Sequence, residues 1–422
     1  MNHADGTLLA RADELCQDPA FRNAVWRHCA HRAQDADIGR LSTRIHPEDQ
    51  MLRHSLRHFQ EVNRSLSQYF NVALQQHAAA QQIMQLLFGE RDGDFSILDF
   101  ACGYGRLLRF LTLDIPPARI WASDIQRDAV DFVAREFRVH AVHSGFEPDD
   151  FRTPARFDFI WVASLFSHLP AHLFRKWFAR LMAQLKPDGV LCFSVHDECL
   201  LAGELDMPQE GLHFLSTSEI EELDNRAYGT SFVSESFVRK VIARVHANSE
   251  PGYFRLKRGL ANEQDIYVVP AEAGRDLSAL EKFHRGTWGW VDECRIAEDG
   301  ALAMHGWAAS LDGGTLDSVA ISVDGETFAC PTGRIREDVA AVLGDARFAT
   351  SGWAFSHQLA GASAFVEVSA RTDAAGQALL YAGPVQVPVR AADPTAGTAA
   401  GTAAGKRTIA QRVEALVGRM RR

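Results

Sequence analysis

The sequence predicts an α/β fold built on a parallel sheet, preceded by helices and followed by an antiparallel β-sandwich. Three observations carry this. Residues 1 to about 90 lack strand-like alternation and hold runs of good helix formers such as NVALQQHAAAQQIMQLLF. From Ile97 onward, short apolar runs alternate with helical stretches, the pattern of βαβ units whose sheet is covered on both faces. Between residues 286 and 390, short apolar runs are separated by the turn signals DGG, DGE and AAG, as in a sandwich.

The elements follow in order. ILDF reads as a strand and GRLLRFLTL as a helix; RIWASD is a strand ending at Asp124, and RDAVDFVAREF is a helix. VHAVHS and FDFIWVAS are strands, and LPAHLFRKWFARLMAQL is a long helix. VLCFSVH is a strand after the turn Lys186-Pro187-Asp188-Gly189. Residues 199–250 break the rhythm, are mixed in polarity and hold His213, Phe214, Tyr228 and Phe232; an insertion here suits a lid or a substrate wall. PGYFRLKRG and EQDIYVVP read as a hairpin turning through Leu260-Ala261-Asn262. The expected organisation is thus a helical region over 1–90, a sheet domain over 91–271 and a sandwich over 283–390. In the sandwich, GWV, HGWA and SGWAF recur, and Trp290, Trp307 and Trp353 are read first as core anchors. Residues 391–405, AADPTAGTAAGTAAG, form a low-complexity linker. Residues 406–422 form a basic tail with Ile409, Val413, Leu416, Val417 and Met420 on one helical face. That tail is read as a solvated terminal helix, with at most weak contact to anionic lipid or a partner.

Bulk properties limit the function. A chain of 422 residues exceeds one ordinary core, which implies two or three domains. A formal net charge of −10 argues against general nucleic-acid binding, which needs a basic face. The 7 cysteines include no CxxC pair and fit reduced thiols rather than a disulfide framework or a zinc site; no metal-ligand constellation stands out. The N-terminus has acids where a signal peptide has a basic start, and no stretch approaches the roughly 18 apolar residues of a membrane span. A cytoplasmic protein is the simplest expectation.

The chemistry concentrates in ILDFACGYGR. At the C-terminal end of a parallel strand the chain must reverse into a helix, and glycine permits both the turn and close approach of a ligand to the backbone. The dinucleotide pattern G-x-G-x-x-G is only partly met: Gly103 and Gly105 are present, but the third position is Leu108. Asp99 at the strand end would repel a pyrophosphate and suits a ligand with cationic groups. An NAD enzyme is therefore disfavoured.

The stretch Asp99-Phe100-Ala101-Cys102-Gly103-Tyr104-Gly105 resembles motif I of the class I S-adenosylmethionine-dependent methyltransferases, acid-x-G-x-G-x-G, with alanine at the first glycine position. Four later features stand in the same order as in that family: Asp124 at the end of the second strand, Ser144-Gly145-Phe146 after the third, FDFIWVASLFSHLP at the fourth, and the Lys-Pro-x-Gly turn before the fifth. The resemblance covers about residues 65 to 270 and implies a Rossmann-like seven-stranded fold that binds S-adenosyl-L-methionine. It implies a loop of Ala101, Cys102, Gly103 and Gly105 around the methionine and ribose, with Asp99 at the methionine amino end. Asp124 would take the ribose hydroxyls, as a carboxylate accepts two donors in a fork; its alternative role is to cap the following helix. Ile125, Ser144, Gly145 and Phe146 would flank the adenine, Ser164 at the end of the fourth strand would also contact the cofactor, and Tyr69 would close over the ligand or simply pack.

Methyl transfer from a sulfonium needs alignment, and a base when the acceptor is a hydroxyl. The candidate bases are His168 and then His196, with Asp197 beside it and His213 third; His168 could instead serve as a cap or a cofactor contact. No Asn-Pro-Pro-Tyr tetrad follows the fourth strand, which disfavours DNA-amino and protein-glutamine methylation. The chain is similar to bacterial methyltransferases fused to β-sandwich modules and linked with surface-glycan biosynthesis, which implies O-methylation of a sugar or glycan. The rivals are a small-molecule methyltransferase unrelated to glycans and a non-catalytic scaffold that binds through its sandwich.

Overall fold

The computed structural model describes residues 3–29, 38–90, 94–201, 205–216, 226–247, 252–372 and 376–388. The linker 391–405 and basic tail 406–422 lie outside them. The chain divides into two compact units: Met1–His28, Phe59–Asn71 and Gly286–Arg422 supply the first, and Cys29–His58 and Val72–Arg285 the second.

Four helices come first: α1 (His3–Gln17), α2 (Pro19–Cys29), α3 (Gln50–Phe59) and α4 (Val62–Phe88). They are not one helical region. α1, most of α2 and the start of α4 belong to the first unit, and nearly all of α3 and the rest of α4 to the second. Amphipathic periodicity shows that a helix has a buried face but not what covers it.

The second unit is an α/β sheet. β1 (Ile97–Phe100), α5 (Leu108–Asp114), β2 (Ile120–Asp124), α6 (Arg127–Phe137), β3 (His140–His143), β4 (Phe157–Val162), α7 (Ala171–Met182) and β5 (Leu185–Asp197) alternate along the chain. The strands lie parallel in the order β3-β2-β1-β4-β5. After β6 (Leu212–Leu215), β7 (Thr230–Val233) and α8 (Glu235–His246) come β8 (Phe254–Leu260) and β9 (Gln264–Pro270). β9 runs antiparallel beside β5 and carries β8 at its far edge, which completes the Rossmann-like seven-stranded order. Strand order reverses between β1 and β4, the switch point where open α/β sheets bind ligands. All four residues of β1 are buried because each face has a core. Ile97, Ala122, Val133 and Phe137 pack on one side, and Leu98, Phe100, Trp177 and Leu181 on the other.

Two local expectations need correction. The segment 199–250 is not merely irregular: β7 extends the end of β5 in parallel, with His196 opposite Phe232, β6 pairs with β7, and α8 covers the sheet. Ser234 caps α8 by accepting from Phe237 N, and these short, mixed strands earn their pairing from β5 rather than from their own pattern. β5 also begins at Leu185, before the expected turn. Phe157 pairs with Leu185 and Phe159 with Val190, so 186–189 bulges within the strand. Lys186 Nζ is held there by Asp158 at 2.8 Å, and a Cβ on Gly189 would stand 2.6 Å from Phe157 O.

In the first unit, β10 (Thr287–Ile296), β11 (Ala301–Ser310), β12 (Gly314–Thr315) and β15 (Gly352–Gln358) form one antiparallel sheet. β13 (Ser318–Val323), β14 (Glu326–Pro331), β16 (Ser363–Thr372) and β17 (Gly376–Gln386) form another, and α9 (Glu337–Leu343) lies between β14 and β15 in sequence. Val291, Leu302 and Met304 of one sheet share a core with Ile321, Val366 and Val368 of the other. The glycine-tryptophan repeats pair with each other: Gly306 stands opposite Trp353, Trp307 opposite Gly352, and Trp290 opposite Trp307. Trp353 and Trp307 are buried and Trp290 half-buried.

Candidate functional site

A cavity of about 220 Å³ opens in the second unit at the C-terminal ends of β1, β2 and β4. Parallel pairing brings its parts together. β1 and β2 run in register with Phe100 opposite Ser123, so Asp99 and Asp124 emerge near each other. Cys102 N donates to Ser123 O at 3.0 Å and Ser144 N to Asp124 O at 3.0 Å, which ties the three loops across the strand ends.

The two acids behave differently. Asp124 is buried, and both its carboxylate oxygens are engaged: Oδ2 accepts from Gly103 N at 2.8 Å and Oδ1 from Gln126 N at 2.9 Å. It therefore shapes the motif I loop and the turn into α6 while keeping lone pairs for further donors. Asp99 is 3% exposed, and its Oδ2 is buried with no hydrogen-bond partner. Burial, then the nearby Asp124 charge, push its carboxyl up to about 8. A buried carboxyl oxygen without a partner is costly, and a cationic donor would relieve that cost.

The loop backbone is held in sparsely populated conformations. Ala101 has φ 59° and Ser164 φ 58°, both left-handed and both on the cavity wall. Non-glycine residues in this region cost about 1–2 kcal/mol, and such strain clusters at functional sites. The two glycines divide the work. A Cβ on Gly105 would strike the Phe137 ring at 2.4 Å, so this glycine lets α6 pack. A Cβ on Gly103 would meet nothing within 4 Å, so this glycine leaves room on the ligand side. Gly105 itself does not line the cavity, whereas Asp99, Ala101, Cys102, Gly103, Asp124, Ile125, Ser144, Gly145, Phe146 and Ser164 do. Phe146 is 60% exposed at the rim. Tyr69 belongs to the first unit, where it is buried against Phe70 at 5.5 Å between ring centroids.

Neither His168 nor His196 is on the cavity wall. His168 stands one layer behind Tyr228, which lines the cavity and stacks on the imidazole at 4.8 Å. His168 Nδ1 donates to Gly229 O at 2.6 Å, which assigns the lone pair to Nε2. His196 is buried, and burial followed by the nearby His168 pulls it down to about 4, so it is neutral at physiological pH. Gln264 Nε2 approaches His196 Nε2 at 3.3 Å, and its Oε1 accepts from Ser194 Oγ at 2.6 Å. Ser194 Oγ in turn accepts from Ser164 N at 2.8 Å, so a buried polar chain runs from His196 to the strained Ser164. Asp197 is bound by Arg255, which also pairs with Asp265 and Glu235. His213 bonds Asp206 O at 3.2 Å and is away from the cavity.

The sequence reading missed several wall residues. Asp49 caps α3 by accepting from Met51 N at 2.9 Å and Leu52 N at 3.2 Å, and Asp49, Gln50 and Met51 line one side. The segment before them is pinned to the motif I loop by His46, which stacks on Tyr104 at 4.5 Å. Gln76 of α4 and Leu173 and Trp177 of α7 complete the wall. No local signal marks these residues, because they come from distant elements.

Residues 97–189 match the family model described as a methyltransferase domain. No curated protein matches the chain in sequence. Among solved structures, the chain is similar to a putative O-methyltransferase from Nostoc punctiforme, at 10% identity over 47% of this chain and 57% of that one, with a TM-score of 0.33. It is also similar to magnesium protoporphyrin IX methyltransferase from Synechocystis with bound S-adenosylhomocysteine, at 15% identity over 50% and 88% of the two chains, with a TM-score of 0.33. A third is an amino pentose methyltransferase from Micromonospora echinaspora, at 12% identity over 47% and 91%, with a TM-score of 0.34. The chain thus spans little more than half of the Nostoc protein. Residues 97–189 thus carry a methyltransferase domain, set on a switch-point sheet whose first loop resembles motif I.

Proposed function

We propose that the protein transfers a methyl group from S-adenosylmethionine to a hydroxyl of a sugar or glycan. The observation that carries the transfer reading is the orphaned Asp99 Oδ2 at the head of a switch-point cavity, beside an Asp124 that still has lone pairs to offer. These residues fit the cofactor: Asp99 would hold its amino end, Asp124 its ribose hydroxyls, and Ile125 with Phe146 its adenine. When bound, S-adenosylmethionine supplies a methyl group already activated by the sulfonium charge. The chain's own task is then to align the acceptor and take its proton. His168 is the base in this reading, because its Nδ1–H is committed to Gly229 O and the lone pair sits on Nε2. Tyr228 stands between that imidazole and the cavity, and would have to turn aside or pass the contact on. His196, neutral and buried, acts as support rather than as base.

A small-molecule acceptor unrelated to glycans is the second reading. It is favoured by the apolar wall of Leu165, Leu169, Leu173 and Trp177.

The test is calorimetry with S-adenosylhomocysteine on the full chain. Binding is expected for the wild type; its absence at millimolar ligand would sink the methyl-transfer reading. A screen of radiolabelled methyl transfer to nucleotide sugars and oligosaccharides then separates the two acceptor classes. His168→Asn should lower kcat and leave S-adenosylhomocysteine affinity unchanged.

A further inference from the structure

The first unit holds a groove of about 1200 Å³, and its walls are built rather than incidental. The paired repeats form part of it. A Cβ on Gly306 would come within 2.0 Å of Trp290 O and 2.8 Å of the Trp353 ring, and one on Gly352 within 2.8 Å of Arg334 O. Both glycines line the groove beside Trp353. Opposite them the β10 ladder skips one residue: Val291 pairs with Gly306 and Glu293 with His305, leaving Asp292 in a bulge. Bulges re-aim side chains and recur beside binding sites. Here the bulge presents Asp292 and Glu293 to a fixed array. Arg336 donates to Asp292 at 2.7 Å and forks onto both oxygens of Asp338 at 2.9 Å each. Glu293 takes Arg295 and, at 3.2 Å, His305. Asn63 Nδ2 donates to Tyr381 Oη and to Pro384 O, both at 2.9 Å.

The composition selects the ligand class. Five arginines and six carboxylates line the groove, so it carries little net charge and offers a polyanion no attraction. A greasy ligand would strip water from these polar groups without replacing it. Hydroxyls both donate and accept, so they can add to carboxylates and guanidinium forks that are already paired. The half-buried Ile296 and the exposed Ile335 supply the apolar patches that a sugar ring's C–H face needs. The volume exceeds the roughly 300–1,000 Å³ of an ordinary small-ligand pocket, which suits several linked units.

We propose that this groove binds a neutral oligosaccharide. The proposal does not depend on what the methyltransferase domain acts on.

The full-length protein should be applied to an array of immobilised neutral and acidic oligosaccharides. The strongest neutral binder should then be titrated in free form. Retention of neutral glycans is expected. The doubly substituted Glu293→Ala, His305→Ala protein should bind about tenfold more weakly, since it loses hydrogen bonds to charged groups. Those side chains are 42% and 51% exposed, so the fold should tolerate their loss. An unchanged thermal unfolding profile in this variant would show the sandwich intact. Retention of no neutral glycan, retention of acidic glycans alone, or wild-type affinity in the double variant would each overturn the proposal. An Asp124→Ala protein should keep glycan binding. If the wild type binds glycan but not S-adenosylhomocysteine, the methyl-transfer reading fails and this one stands.

Discussion

The two units present opposite kinds of cavity. In the second unit, two acids share a small cavity, one carboxyl oxygen is unpaired, and Ala101 and Ser164 are held in strained backbone. In the first, Arg336 is paired with Asp292 and Asp338 on the wall of a wide groove, beside a strand bulge. The contrast shows that burial without pairing, more than volume, marks a site organised around one ligand. Such a site stores electrostatic cost and strain that the ligand relieves, whereas a paired groove has little to relieve and gains only by adding contacts.

The largest effect that tests this contrast is expected from Asp124→Ala. It removes the acceptor for Gly103 N and Gln126 N together with the proposed ribose contact. Truncating one partner of a buried charged pair costs about 2–5 kcal/mol, so S-adenosylhomocysteine affinity should fall about a hundredfold. Calorimetry reads this directly. A change under threefold would mean that the cavity is not organised around this acid.

The glycines should separate stability from binding. Gly105→Ala puts a methyl into the Phe137 ring at φ 77°, and overpacking with left-handed strain should cost about 2–4 kcal/mol in denaturant unfolding. Gly103→Ala meets no atom and carries only the backbone cost of about 1–2 kcal/mol, yet it narrows the ligand side. Its loss of S-adenosylhomocysteine affinity should therefore exceed its loss of stability. Equal behaviour of the two variants would remove the division of labour.

Next comes a pH effect with a definite sign. The Asp99 carboxyl, raised to about 8 by burial and Asp124, holds its proton in the folded protein at pH 7 but loses it in the unfolded chain. The native state therefore binds more protons between the ordinary carboxylate range and about 8, and stability falls as pH rises through that window. A cationic amino group binds the ionised form. Affinity for S-adenosylhomocysteine should thus rise by up to about tenfold per pH unit below this point, with proton release on binding. Asp99→Asn should abolish the slope, bind more weakly, and melt higher than the wild type at pH 8. A flat affinity profile in the wild type would show that Asp99 is already ionised or does not meet the ligand.

How far the sequence reveals these sites follows from the range of the contacts. Asp99, Gly103, Asp124 and Ser144-Gly145-Phe146 were legible because strand-turn-helix units place them by local spacing, and parallel pairing then brings the turns together. Gly105 was legible as a turn glycine, but its partner Phe137 lies a helix away, so its packing role was not. Asp49, Gln76, Trp177 and Tyr228 reach the cavity from four separate elements, and no periodicity encodes that meeting. Tyr69 lies on α4, whose residues up to Asn71 belong to the first unit, and an unbroken helical pattern gives no sign of that division. The tryptophan repeats were visible as repeats, but only register reveals that Gly306 faces Trp353 and Gly352 faces Trp307.

The smallest effect expected concerns Ala101, where the motif I pattern has glycine. With φ 59°, Ala101 bears the left-handed cost that glycine would avoid, about 1–2 kcal/mol. Glycine also frees the unfolded chain, an opposing term of about 0.4–1 kcal/mol. Ala101→Gly should therefore stabilise the protein by at most about 1.6 kcal/mol, read as a small rise in denaturant midpoint. Its effect on binding is the sharper measurement. If the alanine holds the loop ready for the ligand, glycine should weaken S-adenosylhomocysteine severalfold while the protein becomes more stable. If affinity and stability rise together, Ala101 is a tolerated imperfection, and the strain on this wall serves the ligand only through Ser164.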